Sequence, residues 1–312
     1  MKNPKLKGYL IGAIGAATYG TNPLFALPLY GDGMNPASVL FFRYLLAIPL
    51  VYIMLRTRGR RIEFQSKKQL IPLVILGIVM AISSLSLFLA YQYMPAGIAS
   101  TILFIYPIEV AVIMCFIFKE HIRLGTIACI LTAMIGIWLL YKQDDGTTLN
   151  LLGTLLIVIS ATTYAIYIVG INRTTLNVMP TLQTTLFIVI VCDIIYLAYL
   201  RGGIDITIPT KWYLWGNILA LAALPTMLSF TCTTAAIQQI GSTPTAILGA
   251  LEPATAIIIG ILVFNEQITM RIAIGLTLII TSVIFVIASG SSTRVLSSWL
   301  NLLRRMFPKI NN

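Results

Sequence analysis

Charge is scarce in this sequence: Asp, Glu, Lys and Arg together make up 10% of its 312 residues. A soluble domain carries about 25% and spreads it over polar helix faces, so a soluble globular fold is excluded. Histidine is rarer still. The single His121 rules out a histidine-rich metal site. The four cysteines, Cys115, Cys129, Cys192 and Cys232, have no CxxC neighbour and all lie in apolar runs, where they read as small buried hydrophobes. No GxxxxGK(S/T) loop is present, so direct use of ATP is excluded, and neither HExxH nor GxSxG supports a hydrolase. No cofactor and no metal are implied.

What the chain has instead is hydrophobic sequence, 58% of residues, with a mean hydropathy of +0.92. Apolar runs of roughly 20 residues recur from end to end, each long enough to cross a hydrocarbon core of about 30 Å. The expected class is an all-α polytopic membrane protein. Charges, Gly and Pro divide the runs into ten spans near 8–29, 36–55, 70–91, 96–118, 123–141, 149–170, 180–200, 212–236, 241–264 and 271–290. The first follows Lys2, Lys5 and Lys7 but is too long for a signal peptide.

Lys and Arg set the orientation. With the N-terminus inside, sixteen of them fall in cytoplasmic segments and four in outer loops. Both termini are therefore expected in the cytoplasm, in the cytoplasmic (inner) membrane of the cell. The net charge of +11 then faces lipid headgroups, and no nucleic-acid partner is implied. Trp138, Tyr141, Trp212 and Trp215 fall near the outer interface, where amphipathic rings settle.

The chain repeats itself. "ILFIYPIEVAVIMCFIFKEHI" (102–122) aligns with "LGALEPATAIIIGILVFNEQI" (248–268) at a shift of 146, pairing Pro107 with Pro253, Phe118 with Phe264 and Glu120 with Glu266. Gln92 meets Gln238 at the same shift. "GAATYG" (15–20) aligns with "SATTYA" (160–165) at 145, pairing Tyr19 with Tyr164. The expected organisation is one repeat over 1–145, a second over 146–290, and a basic amphipathic tail over 291–312. Five spans per repeat is odd, so the second copy enters from the opposite side. Such inverted repeats go with alternating access around a midplane site between the halves.

The two five-span halves, the "FFRYLLA" of the second span, and the L-x-P…F-x-E-x-I and LEP…F-N-E-x-I patterns together resemble the EamA branch of the drug/metabolite transporter superfamily, over residues 8–290. Lys119–Glu120–His121 departs from the pattern, where Gly or Asn commonly precedes the acid. The resemblance implies ten helices, a central cavity between the halves, and movement of small metabolites or drugs, often amino acids outward.

An ionised side chain at the centre of a span costs about 2.5–3.5 kcal/mol and asks for a partner or a purpose. Arg43 reads as architectural, with Asp193 as a candidate intramembrane partner; the alternative is that it holds a substrate carboxylate. Glu109 shares a helix face with Tyr106 and is either a hydrogen-bonded buried acid or a substrate or proton site. Glu120 and Glu266, at helix ends, read as caps. Glu252, beside Pro253 at the middle of its span, is either a structural acid or a group that meets protons or a cationic substrate. Its repeat counterpart is Tyr106. Gly8, Gly12, Ala16 and Gly20 form a ridge for close helix approach. Tyr19 and Asn22 beside Pro23, with Tyr106, Glu109, Tyr164, Thr226, Ser229 and Glu252, are the cavity candidates. Core packing is the bland alternative for most of them. The tail reads as an inner-leaflet anchor.

The expectation is a secondary transporter for amino acids, related metabolites or drugs, an exporter working by alternating access, and not an enzyme. Its partners are a small-molecule substrate, the lipid bilayer and, as candidate coupling ion, protons. No oligomeric state is read from the sequence. The rivals are a membrane-embedded enzyme and a non-transporting receptor or assembly subunit.

Overall fold

The computed structural model describes residues 4–59, 67–94, 96–120, 124–140, 150–264 and 270–291, and among them every regular element is helical. The first part runs α1 Pro4–Tyr19, α2 Asn22–Gly31, α3 Pro36–Thr57, α4 Leu70–Ala90, α5 Ala96–Leu103, α6 Tyr106–Phe116 and α7 Leu124–Leu140. The second runs α8 Leu151–Arg173, α9 Thr181–Tyr199, α10 Leu214–Leu221, a π-turn Ala222–Leu228, α11 Ser229–Ile240, α12 Ser242–Leu248, α13 Leu251–Phe264 and α14 Met270–Ser291. Each expected span coincides with one helix or a broken pair. By length and composition, α3, α4, α8, α9 and the continuous 214–240 run can each cross a membrane.

Local chemistry sets several boundaries. Asn35 starts α3 by accepting from Ser38 N at 2.7 Å, and Asn150 starts α8 by accepting from Gly153 N at 3.1 Å. Gly241, at φ 90°, turns α11 into α12.

Three spans break, each just ahead of a proline. Pro23 follows the break between α1 and α2, Pro107 that between α5 and α6, and Pro253 that between α12 and α13. Proline cannot donate to the carbonyl one turn back, but it is well suited to the first turn of a new helix. The break near Pro253 falls at the turn that its ring crowds, where Gly249 O accepts from Glu252 N at 2.9 Å. Pro225 does not break its helix. The π-turn absorbs it, and Thr226 Oγ1 donates to Leu221 O at 2.8 Å.

The two halves interleave. α1 packs along α11, α4 along α8, α3 along α9 and α7 along α14, so each major contact joins the first half to the second. The small-residue ridge of α1 is spent on this. A Cβ on Gly12 would sit 2.7 Å from Leu248 Cδ1, and one on Gly8 2.7 Å from Ile240 Cγ2. Buried hydroxyls stitch the same seams. Ser83 Oγ donates to Ser160 O at 3.0 Å and Ser160 Oγ returns a bond to Ser83 O at 2.8 Å. Ser229 Oγ donates to Gly15 O at 2.8 Å.

The turn after α2 and the loop after α9 meet at one end of the bundle. There the Asp32 carboxylate accepts from Thr210 N and Oγ1, both at 2.6 Å, and Asn35 N donates to Thr207 Oγ1 at 2.9 Å. At the other end Arg173 pairs with Glu120 at 3.2 Å. Glu120 thus forms an ion pair with α8, and the residues it was expected to cap, 121–123, lie outside the described residues. Glu266, Tyr141, Asp144, Asp145 and all but the first residue of the 291–312 tail lie outside the described residues.

Candidate functional site

Arg43 is fully buried, and an ionised guanidinium there requires acceptors. Its three nitrogens find them: Nε donates to Thr226 Oγ1, Nη1 to Asn22 Oδ1 at 2.8 Å, and Nη2 to Pro225 O at 3.0 Å. The Pro225 carbonyl lies in the π-turn. The rings of Tyr44 and Phe88, both with centroids 5.4 Å from the guanidinium carbon, and of Tyr19 at 6.0 Å, enclose the cation. The expected Arg43–Asp193 pair does not form. Asp193 is buried in α9 with Oδ1 unpartnered, while Arg43 satisfies itself on neutral groups of α2 and the π-turn.

A second node holds the acid. Glu252, 7% exposed, opens α13, and Tyr106, 1% exposed, opens α6. The Tyr106 hydroxyl donates to Glu252 Oε1 at 3.3 Å. The breaks in their spans make this possible, because each side chain projects from the first turn of a half-helix. Gly249 leaves the space, since a Cβ there would overlap the Tyr106 hydroxyl. A Cβ on Gly20 would likewise overlap the Glu252 carbonyl, so the break in the first span lies against the break in the ninth.

Stacked rings join the two nodes. Tyr106 meets Tyr164 edge-on at 4.8 Å, and Tyr164 stacks on Tyr19 at 6.0 Å with 7° between planes. Tyr19 in turn borders Arg43. The structure therefore gathers Tyr19, Asn22, Tyr106, Tyr164, Thr226 and Glu252 into one buried cluster.

It does not gather Glu109 or Ser229 by their side-chain bonds. Glu109 accepts from Thr162 Oγ1 at 3.0 Å on the exposed side of α8, and Ser229 is tied to the α1 backbone. Tyr44, Phe88 and Phe230, which complete the aromatic wall, carry no sequence signal beyond being apolar rings. A cavity of about 550 Å³ lies elsewhere, beside Arg58 and Asn177. We place the candidate site at the buried cluster because the ionisable groups and the helix breaks meet there.

Gly249→Ala is expected to cost about 1–3 kcal/mol through overpacking against Tyr106, read as a lower thermal midpoint in detergent. Adding Tyr106→Phe, which removes the overlapped hydroxyl, should recover part of it. A wild-type midpoint in Gly249→Ala alone would show that this close approach is absent.

Comparison with known proteins gives a consistent picture. The chain is 27% identical over 215 residues to an uncharacterized transporter of Synechocystis sp., covering 66% of this chain. It spans 63% of that relative's length. It is 25% identical over 213 residues to the threonine/homoserine exporter RhtA of Escherichia coli, covering 67% of this chain and 68% of that protein. A crystal structure at 17% identity superposes with a TM-score of 0.75 over 89% of this chain and 96% of the other, a likeness of fold alone. The model of the EamA-like transporter family matches residues 6–142 and again 151–288. The family is one of transporters rather than enzymes, and this chain, a membrane protein by its helices, belongs to the EamA-like transporter family.

Proposed function

We propose that the chain is a secondary transporter of ten spans in two inverted repeats, moving small amino-acid-like solutes out of the cell by alternating access. The observation that carries the reading is the meeting of repeat counterparts. Tyr19 touches Tyr164, and Tyr106 touches Glu252. Residues related by a twofold touch each other only where the axis passes between them. The α1–α11 and α4–α8 seams are likewise one contact seen twice under the repeat. Glu252 then sits on the line about which the halves would rock, where water access changes most between states. Export and the solute class lean on the resemblance to the threonine/homoserine exporter.

Reconstituted protein is expected to carry threonine-like amino acids across proteoliposomes, and to accumulate them against an imposed proton gradient. No flux above empty liposomes, over a panel of amino acids, nucleosides and cationic drugs, would reject the reading. Orientation is checked separately in a background lacking the native cysteines. With both termini cytoplasmic, Asp32→Cys should react with an impermeant thiol reagent in intact cells and Arg61→Cys should not. The reverse pattern would invert the topology.

A further inference from the structure

The shift of 145 that pairs Tyr19 with Tyr164 also pairs Asp32 with Asn177 and Met34 with Met179. These turns precede α3 and α9, at opposite ends of the bundle. At the Asp32 end the polar groups are satisfied. Two Thr210 hydrogen bonds hold the Asp32 carboxyl below the usual carboxylate range, and Thr207 N donates to Ser38 Oγ at 2.9 Å.

The Asn177 end differs. Asn177 Oδ1 is buried and has no hydrogen-bond partner, although a buried acceptor left unpaired costs about 1–3 kcal/mol. Asn177 lies on the wall of the 550 Å³ cavity, with Arg58 at the end of α3 and Gln183 on α9. The wall is rigid. Gln238 spends both amide hydrogens on Leu176 O and Met179 O, each at 2.9 Å, and accepts from Thr181 Oγ1 at 2.9 Å. Arg58 is exposed, and no acid among the described residues lines the cavity with it. The volume lies in the range of small-molecule sites, about 300–1,000 Å³.

We propose that this cavity binds the polar head of a small amino or hydroxy acid, its carboxylate against Arg58 and its ammonium or hydroxyl donating to Asn177 Oδ1, which a turn of that half-buried side chain brings into the cavity. At the central cluster each nitrogen of Arg43 already donates to protein, so a carboxylate there would meet a cation that neighbouring helices hold in place. The two places are complementary, a cation with no acid beside it among the described residues at the cavity and an acid at the centre. The proposal rests on the function above only for its side, which that reading makes cytoplasmic. It concerns binding, not flux.

The test uses purified full-length protein carrying Val178→Cys, a cavity-wall position 72% exposed, with the four native cysteines replaced. The rate of modification is followed with 2-sulfonatoethyl and 2-trimethylammonioethyl methanethiosulfonate. Arg58 should favour the anionic reagent about fivefold, the scale of one unit charge at close range in a partly solvated site, and Arg58→Gln should abolish the preference. Millimolar alanine, threonine or lactate should slow modification more than propionate or inorganic phosphate does, and Asn177→Leu should erase that difference. An unchanged reagent preference in Arg58→Gln overturns the proposal, as does a lack of protection by every amino and hydroxy acid. Protection only by phosphatidylglycerol in nanodiscs would also overturn it and make the cavity a lipid-headgroup site. Failed flux with intact protection would sink the transporter reading and leave this site standing.

Discussion

Glu252→Gln is expected to reach the membrane at wild-type levels and to transport with a flat pH profile, with proton-driven accumulation falling to that of empty liposomes. Glutamine keeps the shape of the side chain and an oxygen that accepts from the Tyr106 hydroxyl, so packing around Gly20 and Gly249 need not change. What it removes is the titratable proton. Among the described residues Glu252 has one neutral donor, Tyr106, at 3.3 Å, and Arg43 donates to Asn22, Thr226 and Pro225 instead. A carboxylate without a cation in a membrane interior is tolerable only when water or a cationic ligand reaches it. Alternation about the Tyr106–Glu252 contact would supply and withdraw that access. Proteoliposome flux measured across the neutral pH range decides it. An unchanged rate and an unchanged profile would leave Glu252 a structural acid held by Tyr106.

Arg43→Ala is expected to lower the amount of folded, inserted protein, with a loss of about 3 kcal/mol or more in stability. Hydrogen bonds to charged groups contribute about 1.5–3 kcal/mol each, and the substitution strands buried acceptors on Asn22, Thr226 and Pro225. The Pro225 carbonyl, one of these acceptors, lies in the π-turn Ala222–Leu228. Arg43→Lys should rescue little, because a point charge cannot reach three acceptors spread around a planar fork. Size-exclusion yield and the thermal midpoint in detergent report the outcome. Normal yield and midpoint with collapsed substrate affinity would make Arg43 a binding residue.

Sequence alone settled the helical membrane class and the likeness to the EamA family. The reason is that a bilayer is an unforgiving solvent. It demands about 20 apolar residues per crossing and internal hydrogen bonding throughout, so runs and breaks are written in one dimension. Prolines 23, 107 and 253 were legible as disturbances for the same reason, because a missing N–H is a local fact. Partners are not local. The Arg43 side chain was legible as costly, but which of several polar groups on other helices would satisfy it depended on how the halves interleave. The expected pairing with Asp193 failed there. Tyr106 and Glu252 were legible as repeat counterparts; their contact across 146 residues required the broken half-helices to face each other. Glu109 and Glu252 look alike as acids beside prolines in sister spans, yet Glu252 is sealed under Gly20 while Glu109 turns toward the exposed Thr162. Helical periodicity says which residues share a face, and only the packing of one half against the other says what that face meets.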